Sequence, residues 1–235
     1  MSAGTLYLVP TPLAADAADA SVPVPVRGRI HRIGYFIVEE PKSARAFLKA
    51  LEHPRPLASL AIERLPAKSD ETLLDGLLGP LLAGQDAALL SEAGAPAVAD
   101  PGAALVRRAH QIGVRVAPLV GPSAILLALM ASGLEGQRFA FHGYLPVEEA
   151  ALAQRLKALE ADSRREHRTE IFIETPYRND RLLRLIAANC APATLLSVAA
   201  DLTAPAETIE TRTIAAWRRG PRTIGKRPAV FLLQA

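Results

Sequence analysis

The chain has 235 residues, half of them hydrophobic, with 27 Lys and Arg against 24 Asp and Glu. Apolar content on this scale supplies a core and excludes an intrinsically disordered chain, and the length suits one large domain or two small ones. Residues 1–120 carry 12 basic and 12 acidic side chains, whereas residues 121–235 carry 15 and 12, so the second half holds the whole positive excess.

No apolar stretch approaches the roughly 20 residues that a membrane helix requires. Met1 to Thr5 lack the basic start of a signal peptide. A single cysteine, Cys190, excludes an internal disulfide and suits a reducing cytosol. A cytoplasmic location is therefore expected, with Cys190 as a small buried side chain.

In chain order, short apolar or β-branched runs alternate with helical patterns, the signature of a mostly parallel sheet. Strands are predicted at 5–9, 35–38, 60–63, 87–90 and 114–118, and helices at 42–52, 70–83 and 101–112. For the last helix, Asp100 is expected to cap, Pro101 to occupy the first helical position, and Gly113 to supply a left-handed residue past the end. The second half predicts a helix at 122–132, a strand at 138–142, a polar helix at 148–162 and a strand at 170–174. A helix at 178–189 and strands at 194–199, 207–214 and 229–233 follow, with no long helix between the last two. An antiparallel edge on an otherwise parallel sheet is expected there. The boundary falls near Val120–Pro122, giving domains 1–120 and 121–235.

Five predicted strands end in turns of small or rigid residues: Pro10-Thr11-Pro12, Ser91 to Pro96, Gly121 to Ala124, Glu174 to Arg178, and Ala199 to Thr203. Open α/β sheets bind ligands outside the carboxyl ends of their strands, and small side chains let main-chain groups approach a ligand. Each turn taken alone is equally a plain strand-to-helix connection. No P-loop and no Gly-x-Gly-x-x-Gly after the first strand is present. His31, His53, His110, His142 and His167 are scattered without metal-ligand spacing, so no metal site is expected. Ser123 lacks a nucleophile elbow. Two basic clusters, Arg155 to Arg168 and Arg218 to Arg227, either contact phosphate or form solvated faces.

Six segments in register resemble the tetrapyrrole methylase superfamily. They are Gly4 to Pro12, Leu90 to Gly102, Val116 to Ala124, Arg138 to Pro146, Ile171 to Arg178 and Lys226 to Leu233. Within that superfamily the chain looks like a short sister group of the branch of the ribosomal small-subunit RNA ribose methyltransferases. The resemblance implies two α/β domains with mostly parallel sheets, S-adenosylmethionine in a cleft between them, and a homodimer. It places Pro10 and Thr11 at the border of the site. Ser91, Glu92, Ala93, Gly94 and Val98 would face the methionine portion, with Ser123 and Ala124 beside them. Ile173, Glu174, Thr175, Ala199, Ala200, Asp201 and Pro228 would lie on the adenosine side.

A hydroxyl acceptor would benefit from a base, and Glu39 and Glu40, which end a predicted strand where that branch has acidic residues, rank first. Either equally caps the following helix or pairs with Lys42 or Arg45. The Gly-Asn-Leu, Asp-Ile-Thr and Ala-Glu-Asp-Thr-Arg elements of the ribose methylases are absent, and Glu148 and Glu149 replace basic residues after Pro146. Three readings stay open: methyl transfer to ribosomal RNA or a ribosomal subunit, methyl transfer to a tetrapyrrole-like or other small molecule, and cofactor binding without catalysis.

Overall fold

The computed structural model describes residues 2–14, 17–220 and 222–235; Met1 and two residues of the Ala-rich stretch 14–20 lie outside the described residues. The chain divides into two compact units, Met1–Ser123 and Ala124–Ala235.

The first unit runs β1 (Thr5–Val9), α1 (Ala18–Ser21), α2 (Val24–Ile30), β2 (Tyr35–Val38), α3 (Pro41–Ala50), β3 (Ala61–Arg64), α4 (Glu71–Leu82), β4 (Ala87–Leu90), α5 (Ala103–Gln111) and β5 (Arg115–Pro118). Its five strands pair in the order β3-β2-β4-β1-β5, every ladder parallel. The central strands are buried on both faces, which is why they read as continuous apolar runs. Val9, Phe36, Val38 and Leu90 pack on one side against α2 and α3, while Leu6, Ile37 and Leu89 pack on the other against α4 and α5. Tyr35 is the polar exception. Its hydroxyl donates to the Leu77 carbonyl at 3.0 Å, and burial pushes its pKa up to about 12.

The second unit runs α6 (Ala124–Ser132), β6 (Phe139–Tyr144), α7 (Glu149–Glu166), β7 (Thr169–Glu174), α8 (Asn179–Asn189), β8 (Leu195–Ala200), β9 (Thr208–Thr213), α9 (Ile214–Arg219) and β10 (Ala229–Gln234). The strand order is β6-β7-β10-β8-β9. Two α/β units are as expected, but the second sheet is less parallel than the sequence suggests. Only β6 and β7 pair in parallel; β10 pairs antiparallel with both β7 and β8, and β9 is an antiparallel edge. The last strand thus enters the middle of the sheet. Its apolar side chains demand it: Phe231, Leu232 and Leu233 are fully buried, and the Phe231 ring stacks on its register partner Phe172 at 5.9 Å.

Helix starts also depart from expectation. Helix α5 begins at Ala103, and its N-cap is Gly102 at φ +138° with no side-chain cap bond. Asp100 therefore does not cap it. Gly113 follows at φ +78°, as the helix-end pattern implies.

The first basic cluster is largely structural. Arg168 Nε donates to buried Glu170 at 2.7 Å, and His142 Nε2 lies 2.5 Å from the same carboxylate. Arg155 donates to His142 Nδ1 at 3.0 Å, so Nε2 carries the imidazole proton given to Glu170. Cys190 is buried, and burial followed by the nearby Glu160 charge pushes its thiol up to about 12, which leaves it inert. No helix among the described residues is long and apolar enough to cross a membrane.

Candidate functional site

In the first unit the parallel register sets the site. Val9 and Val38 are both register partners of Leu90, so the residues that follow each of them emerge at one sheet edge. Pro10 and Thr11 are buried there. Thr11 and Gly94 exchange both main-chain hydrogen bonds, at 2.9 and 3.0 Å, and this bridge pins the loop after β4 to the end of β1. The Thr11 hydroxyl donates to the Ser91 carbonyl at 3.3 Å, and the Ser91 hydroxyl donates to the Gly94 carbonyl at 3.1 Å. Gly94 sits at φ +80°, a backbone state that glycine adopts without strain. Ala97 and Ala99 take left-handed φ values of 65° and 66°, and such residues store strain where function fixes the backbone.

Outside these bonds the loop is open. Glu92, Ala93 and Val98 are exposed, and the Ala93 N–H and C=O have no partner among the described residues. Gly121 approaches the end of β1 so closely that a Cβ there would lie 2.6 Å from Pro10 Cβ, and Ser123 follows it half-buried. Ala124 opens α6, also half-buried.

Three carboxylates gather at this edge. A Glu39 oxygen accepts the Glu92 N–H at 3.2 Å, and the Glu39 N–H donates to the Leu90 carbonyl at 3.2 Å. Asp100 lies close to Ser91. Burial and then the Glu39 charge push its pKa up to about 6, with Glu92 adding to the rise and Ser91 opposing it. Such a cluster favours protonation of one of its members. Glu40 takes the capping role: its carboxylate accepts the Lys42 N–H at 3.1 Å at the start of α3. Sequence reasoning assigned Asp100 to a helix cap and so missed it here. The Asp-Pro pair is ambiguous, because it signals a helix start and a rigid loop equally.

In the second unit, Glu174 and Ala200 are both register partners of Ala229. That pairing brings Ile173, Glu174 and Thr175, Ala199, Ala200 and Asp201, and Pro228 to one edge. Their carboxylates are already bound. Glu174 is buried and accepts from the Thr175 N–H at 2.6 Å and from Arg178 Nε and Nη2 at 3.0 and 2.6 Å. Asp201, at φ 51°, accepts from Arg227 Nε at 2.5 Å, and its N–H donates to the Pro228 carbonyl at 3.0 Å. Asn179 supplies the support the sequence did not reveal, donating to the Gly225 and Arg227 carbonyls at 3.2 and 2.7 Å. Its Oδ1 is a buried acceptor with no partner among the described residues. No group of three or more His, Cys, Asp or Glu among the described residues could hold a metal ion.

The fold matches the crystal structure of the methyltransferase CobJ with a TM-score of 0.65, covering 98% of this chain and 94% of that one at 18% identity. With that architecture and its homologues' names, the chain is a methyltransferase of the tetrapyrrole methylase class. No family model matches it. It is 36% identical to the ribosomal RNA small subunit methyltransferase I of Xylella fastidiosa over 213 residues, 90% of this chain and 73% of that protein. The same enzyme of Escherichia coli O157:H7 is 34% identical over 88% of this chain and 68% of its own length. The Pseudomonas aeruginosa enzyme is 37% identical over 76% and 59%. The chain belongs to the ribosomal RNA small subunit methyltransferase I family.

Proposed function

We propose that the protein uses S-adenosylmethionine to methylate small-subunit ribosomal RNA, with a ribose 2′-hydroxyl as the acceptor, working as a homodimer in the cytoplasm. The observation that carries the reading is the loop from Ser91 to Gly102, anchored by the Thr11–Gly94 bridge and open at Ala93. Its chemistry fits the cofactor. Main-chain donors and acceptors suit an amino-acid group, and the carboxylates of Glu39, Glu92 and Asp100 favour the positive charge of a sulfonium and an ammonium.

Bound S-adenosylmethionine supplies an electrophilic methyl group. In this reading, Ser91, Glu92, Ala93, Gly94 and Val98 hold the methionine portion, with Pro10, Thr11, Ser123 and Ala124 bordering it. Ile173, Glu174, Thr175, Ala199, Ala200, Asp201 and Pro228 serve the adenosine portion, held in place by Arg178 and Arg227. Transfer to a hydroxyl is an in-line displacement, so the chain acts chiefly by positioning, an effect worth about 7–11 kcal/mol in well-oriented reactions. In this reading Glu39 is the acceptor-side base, because its carboxylate reaches the Ser91–Gly102 loop at the Glu92 N–H whereas Glu40 caps α3. Incubation of the protein with radiolabelled S-adenosylmethionine and small ribosomal subunits tests the proposal. Ribonuclease-sensitive label in a 2′-O-methylated nucleoside is expected. Label that resists ribonuclease, or no transfer, would contradict it.

A further inference from the structure

The second basic cluster, Arg218 to Arg227, is not used by the reading above apart from Arg227. Two of its remaining arginines, Arg218 and Arg222, border a cavity of about 500 Å³ where α8 meets α9. Leu183, Ala187 and Trp217 form an apolar floor, and Arg184, Arg218 and Arg222 ring it. Arg218 is fixed: its Nε and Nη2 donate to the Ala187 and Cys190 carbonyls at 2.7 and 2.8 Å, at the end of α8. Arg184 projects from the same helix one turn earlier, its Nε 3.3 Å from the Asp180 carbonyl. Arg222 is exposed and, among the described residues, holds only a long contact, 3.7 Å, to Glu210, which Arg212 already binds. It also lines a second cavity of about 550 Å³, whose carboxylates Glu207 and Glu210 set it apart from the first.

Among the described residues Asp180 is the one carboxylate lining the first cavity; its oxygens accept the Ile224 and Gly225 N–H groups at 2.7 and 3.3 Å, and its single negative charge is outnumbered by the three guanidinium groups of Arg184, Arg218 and Arg222. Arg219, beside Arg218, is exposed and makes no ion pair among the described residues.

We infer that this groove docks the phosphodiester backbone of the RNA substrate, apart from the strand-tip residues that serve the cofactor. The inference rests on the RNA acceptor proposed above. Charge complementarity selects the occupant. Guanidinium groups present planar forks that match phosphate oxygens, and three of them around an apolar floor suit a chain of anionic groups linked by sugars. Phosphates along the chain would pair with the guanidinium groups of Arg184, Arg218 and Arg222.

The test is RNA affinity measured by fluorescence anisotropy on small-subunit ribosomal RNA, across a salt series, with calorimetry of S-adenosylmethionine as the companion. Arg184→Ala with Arg222→Ala is the variant of choice, since both side chains are exposed and Arg218 is left to hold α8. The double variant should bind RNA about tenfold or more weakly, and the slope of log affinity against log salt should flatten by about one per arginine removed. Cofactor affinity should not change. Wild-type RNA affinity and salt slope in the double variant would overturn the groove alone, and so would a matching loss of cofactor affinity. If the double variant loses affinity for a polyglutamate peptide but keeps it for RNA, the groove is a protein site and the inference fails. A wild-type protein that binds the cofactor but no RNA would refute the acceptor reading and the groove together.

Discussion

The first unit leaves its strand-tip carboxylates facing one another, whereas the second ties each of its own to an arginine. Glu39, Glu92 and Asp100 gather with no ion pair among the described residues, and burial followed by the Glu39 charge raises the pKa of Asp100. Glu174 and Asp201 sit on Arg178 and Arg227. The difference separates two roles that look alike in sequence. An acidic residue at the end of a strand is free for chemistry only where nothing nearby has neutralised it. In the second unit the same residue type shapes the main chain.

The largest effect should come from breaking an arginine tie. Glu174→Ala removes a buried carboxylate and leaves Arg178 unpaired, which costs about 3–5 kcal/mol where such pairs are buried. Denaturant unfolding measures it. A variant as stable as the parent, but unable to bind the cofactor, would erase the contrast between the units. Next in size, Glu39→Gln should lower the methylation rate about a hundredfold or more through loss of a base, with stability near that of the parent. Unchanged kinetics would remove Glu39 from the chemistry.

Asp100→Asn sharpens the comparison through pH. In the native protein this carboxyl keeps its proton up to about pH 6, while the unfolded chain releases it near the ordinary value of 3.8. The native state therefore binds more protons between these limits, and stability is lost as pH rises through that window. The asparagine variant lacks this loss. It should match the parent below about pH 4 and exceed it in melting temperature above pH 6. The smallest effect belongs to Glu40→Ala, which loses a helix cap worth about 1 kcal/mol and leaves methyl transfer intact. A strong fall in rate would return Glu40 to the catalytic group.

Much of the fold was legible in local patterns. Thr5–Val9, Tyr35–Val38 and Ala87–Leu90 are unbroken apolar or β-branched runs bounded by Gly, Pro or charge, and each is a strand over those residues. Helix α2 was not legible, because Pro23, Pro25 and Gly28 read as breakers. Pro25 in fact lies in the first turn, where a missing N–H is tolerated. The insertion of β10 between β7 and β8 was hidden too, since strand order depends on long-range pairing that no short window encodes. At the candidate site, the small-residue turns follow strand ends that the register brings to one edge in each unit. They did not reveal which carboxylates are tied, because Glu174 meets Arg178 one turn later and Asp201 meets Arg227 across the sheet edge.

The central claim is that the Ser91–Gly102 loop of the first unit holds the methyl donor. Calorimetric titration of ligand-free protein with S-adenosylmethionine tests it most directly when repeated on Gly102→Ala, whose new Cβ would meet the Leu89 side chain at 2.9 Å from a backbone at φ +138°. The account predicts saturable one-to-one binding in the parent and at least tenfold weaker binding in a folded variant, for a strain of order 1–3 kcal/mol. No heat of association in the parent, or equal affinity in the two proteins, would contradict it.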